Sequence, residues 1–288
     1  MDGHDGRVAI RKMYKLYING AFARSESGRS DAIDGENVAH ASRKDVRDAV
    51  VAARAGTAAW GAQAPALRGL VLYRLAEMME ARAGELAEQL VRGGSVDAAE
   101  AAREVSAAID RTVWYAGWCD KYLALASTRN PVAGPHFNFS TSEPTGIVAV
   151  LAPDEPALLG LVTAVVPPLV SGNAVVVVAG ARDPRTAVVF AECVATSDLP
   201  AGACNVLTGT RAELGPVLAG HMDVNALLAF GLDPATEKKL GALGAENVKR
   251  THFEASPERA DWFAERYDAL ARVLAFTEVK TIWHPARI

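Results

Sequence analysis

From residue 146 onward, short apolar runs alternate with stretches of helical pattern, and this alternation constrains the fold more than any other feature. Buried strands are predicted at 146–152, 174–179, 203–209 and 224–230, with a fifth strand at 247–253. Helices are predicted between them, at 158–170, 185–195, 212–219 and 236–243. Such alternation gives a parallel sheet with right-handed crossovers and helices on both faces. The sequence therefore predicts an α/β fold.

The residues on either side of this alternation predict further elements. Asn19-Gly20 lies between short apolar runs and indicates a β-hairpin. Ser42 and Asp45 have the spacing of a pair that caps a helix N-terminus. The pattern also predicts helices around 72–90, at 98–124 and at 260–273, a strand or hairpin at 127–142, and an isolated final strand at 276–283 stopped by Pro285.

The composition argues against several classes of protein. The 288 residues are 50% hydrophobic and 22% charged, as in soluble globular proteins, and the net charge of −4 includes no basic stripe. Nucleic acids and anionic membranes are therefore not expected as partners. The longest nearly apolar stretch, 158–170, is too short and proline-broken to span a bilayer, and the N-terminus shows no signal-peptide pattern. The three cysteines favour a reducing, cytoplasmic location.

Few residues have the pattern of a chemical site. The dinucleotide fingerprint G-x-G-x-x-G is absent. GLDPAT at 231–236 opens a helix after the fourth strand, but Asp233 in its first turn would repel a phosphate, and we interpret it as an N-cap. Cys119, Cys193 and Cys204 lie in apolar patterns typical of buried thiols. The six histidines are scattered, so no metal site is expected.

A long run of residues resembles a known family. The segment at 144–186 matches, without a gap, the start of the cofactor domain of the aldehyde dehydrogenase family, at Pro144, Gly146, Pro153, Pro167, Leu169, Gly172, Asn173, Pro184 and Thr186. KLYINGAF near the N-terminus is similar to the family's N-terminal arm, and FTEVKTIWHP to its C-terminal strand. The likeness is strongest to short members that lack the nucleophilic cysteine, and to the non-catalytic half of double-domain members.

The resemblance implies a Rossmann-like parallel sheet with flanking helices, plus a small β element that serves in oligomerisation. On this likeness, residues 1–126 form the N-terminal arm and the helical part of the cofactor domain, and residues 127–143 form an oligomerisation hairpin. Residues 144–258 form the Rossmann-like part. Residues 259–288 supply a C-terminal helix and the oligomerisation strand.

Several positions depart from the family where it binds cofactor and substrate. Glu155 replaces an asparagine that donates a hydrogen bond to the oxyanion, and an ionised carboxylate can only accept. The segment that holds the adenosine ribose is VAGA at 178–181, which has no polar side chain. Gly209 and Gly231 remain as candidate cofactor-binding residues. We therefore expect no bound cofactor, or NAD held only weakly.

The resemblance places Glu254 at the position of the family's general base. Ser256 and Pro257 replace the glycines that follow it, and after one predicted helix the sequence reaches the C-terminal strand. The family's catalytic domain, with its nucleophilic cysteine, is missing between these points, and none of the three cysteines takes its place. We interpret Glu254 as vestigial, because a general base needs a nucleophile to serve.

These departures predict a non-catalytic aldehyde dehydrogenase-like subunit that is inactive alone. In the family, the hairpin and the C-terminal strand extend the catalytic-domain sheet of a neighbouring subunit. The implied partner is therefore a full-length aldehyde dehydrogenase.

Two alternatives to this function stay open. One is an NAD(P)-dependent oxidoreductase acting on an aldehyde, and the other is an NAD-binding regulatory module that does not turn the cofactor over.

Overall fold

A computed structural model describes residues 10–94 and 96–286; the N-terminal residues 1–9, on which the signal-peptide prediction mainly depends, lie outside this range. The strands are β1 (Met13–Tyr14), β2 (Leu16–Ile18), β3 (Ala21–Ala23), β4 (Ser30–Ile33), β5 (Glu36–Ala39), β6 (Thr128–Asn130), β7 (His136–Pro144), β8 (Ile147–Leu151), β9 (Ala174–Val178), β10 (Cys204–Leu207), β11 (Ala226–Phe230), β12 (Arg250–Glu254) and β13 (Thr277–Pro285). The α-helices are α1 (Arg43–Gly61), α2 (Pro65–Ala81), α3 (Ala83–Arg92), α4 (Ala98–Ala116), α5 (Tyr122–Ala126), α6 (Leu159–Val170), α7 (Arg185–Ala195), α8 (Arg211–Gly220), α9 (Pro234–Ala245) and α10 (Leu270–Leu274).

A seven-stranded sheet forms the centre, in the order β12-β11-β8-β9-β10-β2-β3. The five strands from β12 to β10 are parallel to one another. The β2–β3 hairpin, with its turn at Asn19-Gly20 as predicted, adds an antiparallel edge. The predicted α/β fold with a parallel sheet is therefore confirmed.

Both faces of this sheet are covered, which explains why its strands are continuously apolar. Val148 and Val150 of β8 pack in the same apolar cluster as residues of α2, α3, α4, α6 and α7. Ala149 and Leu151 point to the other face, where α1, α8 and α9 contribute to a second cluster. The predicted cap of α1 is confirmed, since the Asp45 carboxylate accepts hydrogen bonds from the backbone N–H of Ser42 at 2.7 Å and from its hydroxyl at 2.8 Å.

Three predicted helices differ in the structure. The helix around 72–90 is divided into α2 and α3, and the helix at 98–124 into α4 and α5. The segment 260–273 forms two 3₁₀ turns and the short α10 instead of one helix.

Tertiary contacts explain why no continuous helix forms in the segment 260–273. On α4, Arg111 donates to the carbonyl of Trp262 at 2.9 Å, and the Tyr115 hydroxyl donates to the carbonyl of Tyr267 at 2.6 Å. The buried rings of Trp262 and Tyr267 stack with centroids 4.9 Å apart. These contacts and the burial of the two rings hold the segment in its 3₁₀ turns, so packing overrides propensity here.

Two three-stranded sheets accompany the central one, in the orders β1-β5-β4 and β13-β7-β6. The final strand is not isolated, because β13 pairs antiparallel with β7 along its whole length, from Thr277 opposite Pro144 to Pro285 opposite His136. No helix in the described part of the chain combines the length and apolar character needed to cross a bilayer.

Candidate functional site

The carboxyl ends of the parallel strands define the candidate site. Chain order reverses beside β8, since β9 follows it on one side and β11 returns to the other. In sheets of this kind, ligands bind in the crevice outside the strand ends at such a reversal. The crevice lies between the residues that follow Leu151 in β8 and those that follow Phe230 in β11.

Arg211, the first residue of α8, fills this crevice. Its guanidinium donates to the carbonyl of Phe230 at 3.2 Å, to the carbonyl of Ala152, and to the Asp154 carboxylate at 2.9 Å. The same Asp154 carboxylate accepts from the backbone N–H of Ala181 at 2.7 Å. Burial lowers the pKa of Arg211, partly offset by Asp154. The polar groups at the strand ends are therefore already bound to one another.

The turn between β11 and α9 contains Gly231 and Asp233. Gly231 has a φ of +62°, which favours glycine, and a Cβ there would lie 3.0 Å from the Cβ of Ser256. The Asp233 carboxylate accepts from the backbone N–H groups of Ala235 and Thr236, each at 3.0 Å. The predicted N-cap is confirmed. The N–H groups that could hold a phosphate at this helix are thus occupied by an anion of the chain itself.

We expect Asp233→Ala to lower the melting temperature by roughly 2–4 °C at neutral pH, because α9 loses its cap. Hydrogen bonds from the Thr236 hydroxyl and the backbone hold the pKa of Asp233 below its ordinary value of 3.8. The capping stabilisation is therefore fully present above pH 3.8, and it is lost as the pH falls through the lowered pKa of Asp233. Thermal unfolding followed by circular dichroism at several pH values measures the effect. Asp233→Ser, which keeps a capping oxygen, is the control and should lose less; equal losses would contradict the role.

Gly209 lies at a different place along the same sheet edge. It follows β10, has a φ of +144°, and would bring a Cβ within 3.1 Å of Leu214 and 3.4 Å of the Ala41 backbone nitrogen. Two strands, β8 and β9, separate β10 from β11. At about 4.8 Å per strand, the two predicted cofactor glycines are not neighbours. Each glycine has a positive φ and close neighbours in its own turn, and these features favour glycine at that position.

Glu254 ends β12, where its carboxylate accepts a hydrogen bond from Arg272 in α10. The Arg272 guanidinium lies 4.8 Å from the centre of the Tyr267 ring, which holds it in place. Gly231 donates its N–H to the carbonyl of Glu254 at 2.8 Å. The Glu254 carboxylate is therefore held in an ion pair at the end of its strand.

The three cysteines are all buried, as predicted. Burial raises the pKa of Cys119, Cys193 and Cys204 to about 12 in each case. Thiolates are the reactive form, so these thiols are inert at neutral pH. Cys204 begins β10 at the amino edge of the sheet, whereas Glu254 lies at the carboxyl edge.

Glu155, which takes the position of the family's oxyanion donor, lies among arginines. Its carboxylate is paired with Arg182, and the second oxygen lies 3.6 Å from Arg259. Arg259 also pairs with Glu100 at 2.8 Å and with the fully buried Glu104. Burial raises the pKa of Glu104, against the lowering effects of the Leu158 N–H and Arg259. This network joins the segment after β12 to the start of α6.

The three arginines at 211, 259 and 272 are absent from the sequence-based candidates. Each contacts residues between 18 and 159 positions away in the chain, and no local motif marks such a pair. The only signal in the sequence is indirect: Glu155 and Glu254, which lie near Arg259 and Arg272, are acidic residues that we interpret as having no oxyanion or nucleophile to serve. A partner charge could have been sought for each of these acidic residues.

A groove of about 910 Å³ lies over α8, between α1 and α9. Its floor includes Pro216, Val217 and Leu243, and Lys44 and Lys239 lie among its basic residues. None of Gly209, Gly231 and Glu254 lines it. Within residues 10–94 and 96–286, no group of three or more His, Cys, Asp or Glu side chains has the arrangement of a metal site.

Comparison with known proteins gives a consistent result. A family model described as the aldehyde dehydrogenase family matches residues 31–277. Cytosolic 10-formyltetrahydrofolate dehydrogenase of Xenopus laevis is 31% identical over 259 residues, which are 86% of this chain and 29% of that protein.

Solved structures agree with the sequence match. Indole-3-acetaldehyde dehydrogenase of P. syringae, in complex with NAD⁺, has 28% identity and a TM-score of 0.79 over 84% of this chain and 50% of that one. PnpE from Pseudomonas sp. WBC-3 has 26% identity and a TM-score of 0.80 over 85% of this chain and 51% of that one. The chain thus spans about half the length of these structures. With its parallel sheet, its small sheet of β13, β7 and β6 and its family match, the chain belongs to the aldehyde dehydrogenase family.

Proposed function

We propose that this chain is a non-catalytic subunit that associates with a catalytically complete aldehyde dehydrogenase. The observation that carries the proposal is the small sheet of β6, β7 and β13. Eight of the nine residues of β13 are exposed, although they alternate between two faces. Val279 and Trp283, on one face, are 68% and 59% exposed, and Ile282 on the other is 38% exposed. Exposed apolar side chains on an edge strand are an aggregation hazard unless another chain covers them.

The edge of β13 supports the same conclusion. One side of the strand pairs with β7, and within the described residues its other side pairs with no strand. The backbone groups on that side can extend a sheet that a second protein supplies, which is a common mode of recognition. The hairpin and the final strand resemble family elements that extend the catalytic-domain sheet of a neighbouring subunit. The resemblance therefore implies that the catalytic domain of the partner supplies the sheet that β13 extends.

The residues at the strand ends support a role without catalysis. Covalent aldehyde oxidation needs a thiolate nucleophile and a hydrogen-bond donor to the oxyanion. The thiols are buried with pKa values of about 12, Glu155 is an acceptor held by Arg182, and Glu254 is held by Arg272. Residues 255–276, which join β12 to β13, contain no cysteine.

Purification from the native cell tests the proposal directly. A tagged chain should co-elute with a full-length aldehyde dehydrogenase identified by mass spectrometry, in a constant ratio across a size-exclusion peak. A chain that elutes alone beside every aldehyde dehydrogenase of its host would refute it.

We expect NAD to bind with a dissociation constant weaker than about 1 mM. Each phosphate or sugar contact contributes about 1.5–3 kcal/mol to the binding free energy. A chain that lacks two or more of them should therefore bind NAD at least about a hundredfold more weakly than an aldehyde dehydrogenase that makes them. Asp233 occupies the N–H groups of α9, and residues 178–181 offer no side-chain partner for a ribose. Isothermal calorimetry measures the affinity, with a complete aldehyde dehydrogenase as the positive control.

A regulatory NAD-binding module is the second candidate, favoured by the groove over α8 with its apolar floor and basic residues. Micromolar NAD affinity that Lys239→Glu weakens would support it and would contradict the expected weak binding.

A further inference from the structure

Helix α2 presents an apolar ridge to solvent. Leu67, Leu70 and Tyr73 follow one another at intervals of three residues and are 46%, 64% and 48% exposed. Residues three apart lie on the same face of a helix, so these side chains form one row. We call these three residues the α2 ridge. Single exposed apolar residues are ordinary, whereas a continuous row marks a contact surface.

A groove runs along each side of the α2 ridge. The first, of about 380 Å³, lies between α2 and α4, and its lining includes Gly69, Ala116 and Gly117. The second, of about 550 Å³, lies towards Asp198. A ridge flanked by grooves is the surface that one helix offers to another in ridges-into-grooves packing. Gly69 allows α2 and α4 to lie close together below the groove, since a Cβ there would lie 2.9 Å from the carbonyl oxygen of Ala116.

We propose that the α2 ridge packs against the α2 ridge of a second copy of this chain, antiparallel and about a two-fold axis between Leu70 and Tyr73. A two-fold interface uses the same surface on both subunits, so that surface must be complementary to itself. In this arrangement Leu70 of each copy faces Tyr73 of the other. Each ridge then enters the groove between α2 and α4 of the opposite copy.

The charges around the α2 ridge favour a second copy as the occupant. Helix α2 begins without a side-chain cap at Ala64 and has no acidic residue in its first turn. The antiparallel register places Glu77 of one copy opposite Ala66 of the other, where a carboxylate favourably meets the helix N-terminus. The rims also carry both signs, with Arg74 beside Glu77 and Lys121 beside Asp120. A partner with a strong charge of one sign would not be complementary to rims that carry both signs.

Sedimentation of the purified chain alone tests the pairing, which does not depend on the proposed function. We expect a reversible dimer whose dissociation constant rises at least about tenfold in Leu70→Glu. Val51→Glu is the matched control, because Val51 on α1 is 62% exposed and outside the ridge. Val279→Pro in β13 should also leave this dimer unchanged. Circular dichroism verifies that each variant is folded.

Cross-linking fixes the position of the contact. The three native cysteines are buried, so a short thiol-reactive cross-linker reports on an introduced cysteine. Leu70→Cys should give a covalent dimer and Val51→Cys should not. A wild-type chain that stays monomeric, or a dimer that Leu70→Glu leaves intact, would overturn the pairing. Loss of a co-purifying aldehyde dehydrogenase in Leu70→Glu, without a dimer of the chain alone, would assign the ridge to that other protein.

Discussion

The purified chain is expected to oxidise no aldehyde with either NAD or NADP, at any rate above the background of the assay. Covalent aldehyde oxidation begins with addition of a thiolate to the aldehyde carbonyl carbon, and the pKa of each of the three thiols is about 12. The oxyanion would face Glu155, a hydrogen-bond acceptor, and no rate enhancement follows from an acceptor at that place. Reduced nicotinamide absorbance, followed over a panel of aldehydes, measures the result.

Two controls make this result decisive. Glu155→Asn should remain inactive, because it supplies an oxyanion donor without a nucleophile. Iodoacetamide should abolish activity from a contaminating host enzyme, whose catalytic thiol is reactive, while the buried thiols of this chain stay unmodified. Turnover that co-elutes with the chain in a host whose own aldehyde dehydrogenases lack their nucleophile would refute the non-catalytic role and favour the oxidoreductase alternative.

Removal of β13 is expected to abolish co-purification with the aldehyde dehydrogenase that we propose as the partner. The strongest single change is Val279→Pro, at a residue opposite Ser142 in β7. Proline removes a backbone donor and cannot sit in the middle of a paired strand, so any sheet extended through β13 is broken there. Pull-down of the tagged chain, quantified against wild type, measures the loss. Deletion of residues 277–288 should have the same result.

The matched control is Val279→Thr, which keeps a β-branched side chain and the backbone donor, and it should retain the partner. Circular dichroism and thermal unfolding show whether the core remains folded, as expected for a strand whose residues are mostly exposed. If the deleted chain still co-elutes at wild-type stoichiometry, the association does not pass through β13. If Val279→Thr is as defective as Val279→Pro, the side chain and not the strand pairing makes the contact.

Local pattern predicted most of the fold. The runs at 146–152 and 174–179 became β8 and β9, because continuous apolar strands are stable only when both faces of a sheet are covered. The capping pair of Ser42 and Asp45 and the N-cap at Asp233 were also predictable, since the interacting groups lie within three residues of each other. The inert cysteines followed from their apolar neighbours.

The segment 260–273 was mispredicted because its partners are distant in sequence. Its residues satisfy a helical pattern, but Arg111 and Tyr115 of α4 take the carbonyls of Trp262 and Tyr267. Propensity differences are fractions of a kcal/mol per residue, whereas burial of two aromatic rings contributes several kcal/mol. Packing therefore decided the local conformation.

The sequence by itself determined the strands of the parallel sheet and their order along the chain, because these depend on residue type and on neighbours along the chain. Only the tertiary structure decided what fills the crevice at the strand ends. Arg211 reaches Ala152 and Asp154 across 59 and 57 residues of chain, and Arg272 reaches Glu254 from a separate helix. Such ion pairs form because the sheet brings the carboxyl ends of its strands to one edge, and no spacing in the sequence specifies which side chain arrives there.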